Sequence, residues 1–305
     1  MGLQAGDRSA RSSFVAGLRK VPAAGKAGNN GREMTEVRSE ELLDVAMQAA
    51  EAAAAVHRAG SGRLGPAEWG EKGRSDFVTE IDIEAERLIV ESILRRFPNH
   101  SILAEESGET RPAHRDDSPV RWIIDPLDGT TNWLHGYPEY AVSIAAEDAA
   151  GLSVGVVLNS ATGECFEAVR GQGARMNGNP ISVSTLTDLK LALVGTGFPF
   201  KQLDRLPAYL ETFSTVLRGT AGVRRAGAAA LDLCNVACGR LDAFFEFHLM
   251  PWDVAAGALI VREAGGHFAP LPMAGLTEDG YELYEGGFKA GSPGVWAAFE
   301  ALLTS

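Results

Sequence analysis

The sequence predicts a mixed α and β chain, an antiparallel α+β first half followed by an α/β second half. Three observations carry this. Residues 140–146, 155–158 and 164–169 are apolar runs separated by turn residues, among them Ala161-Thr-Gly163, as in antiparallel strands joined by hairpins. After about Thr185, short apolar runs alternate with longer helical patterns, the rhythm of an α/β unit. Ahead of both lie two amphipathic periodicities of helical spacing. With 305 residues the chain can bury a large core, and the change of texture divides it into residues 35–184 and 185–305.

The first helix is expected from Ser39 to about His57, with Leu42, Leu43, Val45, Ala46, Ala49, Ala50 and Ala53 on one side. A Gly-rich loop over 60–73 follows, containing Glu68, Glu71 and Lys72 and suited to closing over a site. The second helix takes Ile83, Ala85, Leu88, Ile89, Ile93 and Leu94, with Asp82 expected at its N-cap and Phe97-Pro98 as its stop. Residues 101–104 form a short buried strand that delivers Glu105 and Glu106. In the second half we expect strands at 191–197 and 241–246, and helices at 206–217, 228–238 and from Trp252 to Ala264, closed by Gly265 and Gly266.

Composition narrows the function classes. A formal charge of −12 argues against nucleic acid as a primary partner, because phosphate backbones demand basic surface. Residues 1–33 differ from the rest: six basic against two acidic side chains give +4, leaving −16 beyond them. Their Gly, Ser and Ala content reads as a disordered tail, a transit segment, or translated sequence ahead of a true start at Met34. The cysteines are three, Cys165, Cys234 and Cys238, an odd number that points to a reducing, cytoplasmic setting and to core roles. No run of 18 apolar residues suggests a membrane span.

The stretch 122–133 carries the chemistry. Apolar Trp122, Ile123 and Ile124 run into Asp125 and Asp128, held apart by Pro126 and Leu127 and closed by Gly129. Carboxylates at a strand end are hard oxygen ligands suited to Mg²⁺. Thr130, Thr131 and Asn132 are residues of N-cap type, so amides behind them could face an anion. An ordinary Asp-Gly turn would use the same residues. Asp82 is likewise explained either by capping or by catalysis.

Taken together, Ala-Glu105-Glu-Ser, then Trp-Ile-Ile-Asp125-Pro-Leu-Asp128-Gly-Thr130-Thr-Asn-Trp, then Trp252-Asp253-Val-Ala-Ala-Gly with Glu263-Ala-Gly-Gly266, resemble the inositol monophosphatase family over about residues 40–300. The resemblance implies a layered αβαβα sandwich of the sugar-phosphatase type, a homodimer, and two to three Mg²⁺ ions per site. It implies that Glu105, Asp125 and the Leu127 carbonyl hold one ion, that Asp125, Asp128 and Asp253 hold a second, and that a weaker ion lies beside Glu105. Thr130 with Glu105 would orient the attacking water, and Asp82 would bond that threonine. Substrate contacts would come from Asp128, the amides of Gly129 and Thr130, the amides of Ala228 and Ala229, and Glu246. Ala228 departs from the Ser or Thr of many relatives, which bears on inositol specificity. Glu246, if not simply an exposed charge at a strand end, would meet substrate hydroxyls.

The implied activity is Mg²⁺-dependent, Li⁺-sensitive hydrolysis of inositol 1-phosphate or a related polyol or sugar phosphate by activated water. Histidinol phosphate and fructose 1,6-bisphosphate are the alternatives within the family. A phosphatase with an aspartyl nucleophile would have its aspartates two apart rather than three. A non-catalytic, metal-stabilised binding protein is the alternative of another class.

Overall fold

The computed structural model describes residues 29–61, 70–73, 76–110, 120–200, 203–271 and 286–304. The expectations for residues 1–28, and for Glu68 in the Gly-rich loop, lie outside the described residues. The first helix, α1 (Asn29–Gly60), begins before Ser39 and takes in the last residues of the presumed tail. Nothing between Asn29 and Ser39 is a proline, and Glu, Arg and Met there favour helix. Within the span expected as a loop, β1 (Gly70–Gly73) is a strand that pairs antiparallel with β2 (Asp76–Val78).

Helix α2 (Glu80–Arg96) packs beside α1, and both lie on an eight-stranded sheet. That sheet contains β3 (Ser101–Ala104), β4 (Gly108–Thr110), β5 (Arg121–Asp128), β6 (Ala141–Asp148), β7 (Gly151–Asn159), β8 (Cys165–Val169), β9 (Ala174–Met176) and β10 (Asn179–Pro180). Its order is β10-β9-β8-β7-β6-β5-β3-β4, antiparallel except where β3 runs parallel to β5. A short helix, α3 (Thr130–His135), leaves the end of β5.

The second sheet has the order β12-β11-β13-β15-β14, with β11 (Leu193–Thr196), β12 (Gly222–Arg224), β13 (Ala243–Leu249), β14 (His267–Leu271) and β15 (Gly286–Gly291). Between the two sheets lie α5 (Ala229–Ala237) and α6 (Pro251–Glu263), whereas α4 (Leu206–Gly219) and α7 (Pro293–Leu303) cover the outer face of the second sheet. The layers are therefore αβαβα.

Packing explains the sequence texture. The first sheet is covered on both faces, so β5 is apolar without alternation: Trp122 and Ile124 meet the small side chains Ala46, Ala50 and Ala53 of α1 with Ile89 of α2, while Ile123 faces the α5/α6 layer. Helices between two sheets have no solvent side, which accounts for the nearly all-apolar Val254, Ala255, Ala256, Ala258, Leu259 and Ile260. Close approach demands Gly155, because a Cβ there would lie 2.9 Å from the Ala256 carbonyl oxygen. The outer face of the second sheet is aromatic, with Tyr209, Phe245 and Phe299 buried together.

Candidate active site

Two backbone features gather the acidic residues. In a regular strand, residues three apart point to opposite faces. The pairing of β5 with β6 matches Asp125 to Ser143 and Asp128 to Ala141, so β5 carries one extra residue, a bulge that turns both carboxylates to one side. Pro126 has no N–H to give to the ladder, and the bulge is where a strand tolerates it. The parallel pairing of β3 with β5 sets Ala104 against Ile124, and the Glu105 amide bonds the Ile124 carbonyl at 3.2 Å. Glu105 therefore leaves its strand abreast of Asp125.

Burial and mutual repulsion dominate the electrostatics. Asp125 is pushed well above the usual carboxylate range, first by burial and then by Glu105, Asp128 and Asp253, with the Leu127 amide at 3.0 Å opposing. Asp128 is raised well above that range by burial and Asp253, while the Ala230 amide at 2.8 Å pulls it down and Glu246 and Glu105 add to the rise. Asp253 is the third residue of α6, where one carboxylate oxygen accepts the Met250 amide at 2.7 Å. Among the described residues no three acidic, histidine or cysteine groups close into a ligand shell as placed. An oxygen of each of these aspartates is turned to a backbone amide. What fits a hard dication is the convergence of buried, mutually repelling carboxylates, which such an ion would relieve.

Thr130 and Asp82 meet beside this cluster. The Thr130 hydroxyl lies 3.0 Å from Oδ1 of Asp82 and 3.1 Å from the Leu127 carbonyl. Asp82 is not the N-cap that its position suggested; Thr79 is, and Asp82 is the third residue in, with Oδ2 accepting the Thr79 amide at 2.8 Å. One Asp82 oxygen thus completes the capping box and the other faces the Thr130 hydroxyl. Burial raises its carboxyl, and the bonds from Thr79 and Thr130 pull it back. Thr130 is not a cap either: Gly129 fills that position in a left-handed conformation, φ 89°. A Cβ on Gly129 would lie 2.8 Å from the Glu139 carbonyl oxygen and 3.3 Å from the Ala228 side chain.

The substrate-side residues adjoin the same corner. Ala228 is the N-cap of α5 and Ala229 its first residue, so both amides stand at the helix start, although the amide engaged with an acidic residue is that of Ala230, on Asp128. Glu246 on β13 is half-buried and its carboxylate packs on Gly197, where an added Cβ would displace it.

Asp232 and Glu86 escaped the sequence reading, and Asn132, read there as a residue of N-cap type, has another part. Asn132 donates to the carbonyls of Glu139 at 2.6 Å and Ala226 at 3.0 Å, tying α3 to the loop before α5. Asp232 is buried with one oxygen that has no partner among the described residues, and burial followed by Glu246 and Asp128 raises it well above the usual range. Glu86 accepts the amides of Glu106 at 2.8 Å and Ser107 at 2.9 Å. Its spacing of four from Asp82 on an amphipathic helix is the signal that could have found it. Glu263, part of the quoted Glu-Ala-Gly-Gly pattern, is structural: its carboxylate accepts the amides of Gly171 and Gly173.

Comparison with known proteins shows the family and the fold. The family model described as inositol monophosphatase family matches residues 38–290. Nus factor SuhB of Pseudomonas aeruginosa is 44% identical over 266 residues, 87% of this chain and 95% of the relative; its Escherichia coli K12 namesake is 41% identical, covering 85% and 94%. Among solved structures, the suhB protein of Bartonella henselae superposes with a TM-score of 0.79 at 36% identity, covering 87% of this chain and 99% of that one. The inositol monophosphatase of Anabaena superposes with a TM-score of 0.73 at 37% identity, covering 87% and 96%.

Proposed function

The chain belongs to the inositol monophosphatase family, and from that premise we propose that it is a Mg²⁺-dependent phosphomonoesterase acting on inositol 1-phosphate or a related small polyol phosphate. What supports the reading most is the meeting of Glu105, Asp125, Asp128 and Asp253, whose repulsion and burial invite a dication, with a threonine bonded to a buried aspartate beside them. Glu105, Asp125, Asp128, Asp253 and the Leu127 carbonyl would hold the metal. When bound, Mg²⁺ supplies the charge that acidifies water and neutralises the phosphoryl oxygens.

The remaining work falls to the chain itself. Asp82 accepts the Thr130 proton, which leaves the hydroxyl oxygen as an acceptor for the attacking water and fixes that water's direction. Glu105 accepts the proton that the water loses. The amides of Gly129 and Thr130 steady the phosphate. Glu246 and the amides of Ala228 and Ala229 select the alcohol that leaves, and the methyl of Ala228 offers no hydrogen bond of its own. This widens the range of acceptable polyols. A homodimer belongs to the same reading.

The test is phosphate release from inositol 1-phosphate, histidinol phosphate, fructose 1,6-bisphosphate and adenosine 3′,5′-bisphosphate, compared by kcat/KM. Asp125→Asn should abolish release, and no phospho-aspartate should be trapped. Absence of Mg²⁺-dependent release from every ester would sink the reading.

The names of the relatives support a second role. Proteins called Nus factor at 41% and 44% identity make association with transcription machinery a reading to test, and the acidic chain suits a protein partner better than a nucleic-acid backbone. Association retained by Asp125→Asn would separate that role from catalysis.

A further inference from the structure

We propose that Glu86 is the positioning residue for Glu105, and that one face of α2 thereby holds both halves of the water-activating apparatus; this rests on the reading of Glu105 as a metal ligand. Residues 105–107 form the turn between β3 and β4, whose flanking residues Ala104 and Gly108 are paired. Each amide of that turn has an acceptor. Glu105 gives its N–H to Ile124, and Glu106 and Ser107 give theirs to the two oxygens of Glu86 at 2.8 and 2.9 Å. Two of the three bonds therefore end on a single carboxylate, which is 5% exposed.

A buried carboxylate with an N–H on each oxygen is strongly held, because charge-assisted bonds exceed neutral ones and losing either would strand a buried charge. Glu86 stands four residues after Asp82, one helical turn further along the same face of α2. Asp82 fixes the Thr130 hydroxyl and Glu86 fixes the backbone from which Glu105 projects. A helix turn is rigid, so α2 adds a fixed spacer between the threonine and the metal ligand, beside the β3–β5 pairing that already places Glu105.

The test titrates Mg²⁺ alone into the full-length protein by calorimetry and measures the Mg²⁺ dependence of phosphate release. In Glu86→Gln, which keeps side-chain volume but turns an amide N–H toward one of the two donors, the Mg²⁺ dissociation constant should rise about tenfold or more, the range found when groups supporting metal ligands are altered. Much of kcat should return at saturating Mg²⁺. Glu106→Ala keeps the backbone N–H and should bind Mg²⁺ like the wild type. A Glu86→Gln protein that melts earlier but binds Mg²⁺ with unchanged affinity would overturn the proposal. Hydrogen exchange in the wild type gives a check that needs no variant: the Glu106 and Ser107 amides should be protected without Mg²⁺, and rapid exchange there also overturns it. A wild type that does not bind Mg²⁺ at all instead defeats the functional reading on which the inference rests.

Discussion

The Thr130 hydroxyl sits 3.0 Å from Oδ1 of Asp82, a residue 48 positions earlier whose other oxygen caps the start of its own helix. One buried carboxylate thus terminates a helix and orients a hydroxyl at the mouth of an acidic cluster. Asp82→Asn keeps the shape and can keep the cap, but no longer guarantees an acceptor facing Thr130. We expect kcat to fall by about 10- to 10²-fold, the worth of a hydrogen bond to a charged group, with Mg²⁺ affinity unchanged in calorimetry.

Mg²⁺ should stabilise the fold more as pH rises. Asp125 and Asp128 have folded-state values raised by burial and by neighbouring carboxylates, Glu105 and Asp253 among them, so the metal-free native state binds more protons than the unfolded chain. Stability conferred by those protons is complete below the ordinary carboxylate range and is lost as pH climbs toward the raised values. Mg²⁺ takes the place of the protons. Calorimetric Tm measured with and without Mg²⁺ should show a larger increment at about pH 8 than at about pH 5.5, and equal increments would contradict the shared-site electrostatics.

His57 should make the protein acid-sensitive. Its ring is fully buried against Ser160, with Nδ1 2.8 Å from Oγ. Burial, with Arg58 adding to it, lowers its value to about 3. The unfolded chain therefore binds a proton below the ordinary imidazole range that the native state refuses. Stability falls by about 1.4 kcal/mol for each pH unit below that range. The difference in denaturant stability between wild type and His57→Gln should change with this slope between about pH 6 and pH 5, a comparison that removes the opposing contribution of the buried carboxylates common to both.

Gly129→Ala should be costly out of proportion to one methyl. The residue has φ 89°, and the added Cβ would lie 2.8 Å from the Glu139 carbonyl oxygen. Strain of this kind costs on the order of 1–3 kcal/mol, read as a shift in the denaturant midpoint. Relief of that strain would move α3, so phosphate release should fall as well.

The sequence by itself determined the residue types and the strand end that presents them. Apolar Trp122, Ile123 and Ile124, the aspartates flanking Pro126 and Leu127, and Gly129 were legible because burial, metal preference and left-handed backbone each restrict the choice of residue. The same local rules misplaced Asp82 and Thr130 by a few positions, since several residues there could cap equally well. Only the tertiary structure decided which carboxylates share a site. Parallel pairing of β3 with β5 puts Glu105 abreast of Asp125, a bulge turns Asp128 to the same side, and α2 carries Asp82 to Thr130 and Glu86 to the 105–107 turn. Strand partners and bulges are chosen by the packing of whole layers, here two helices on one face and two on the other. That choice leaves little trace in the local periodicity of any one segment.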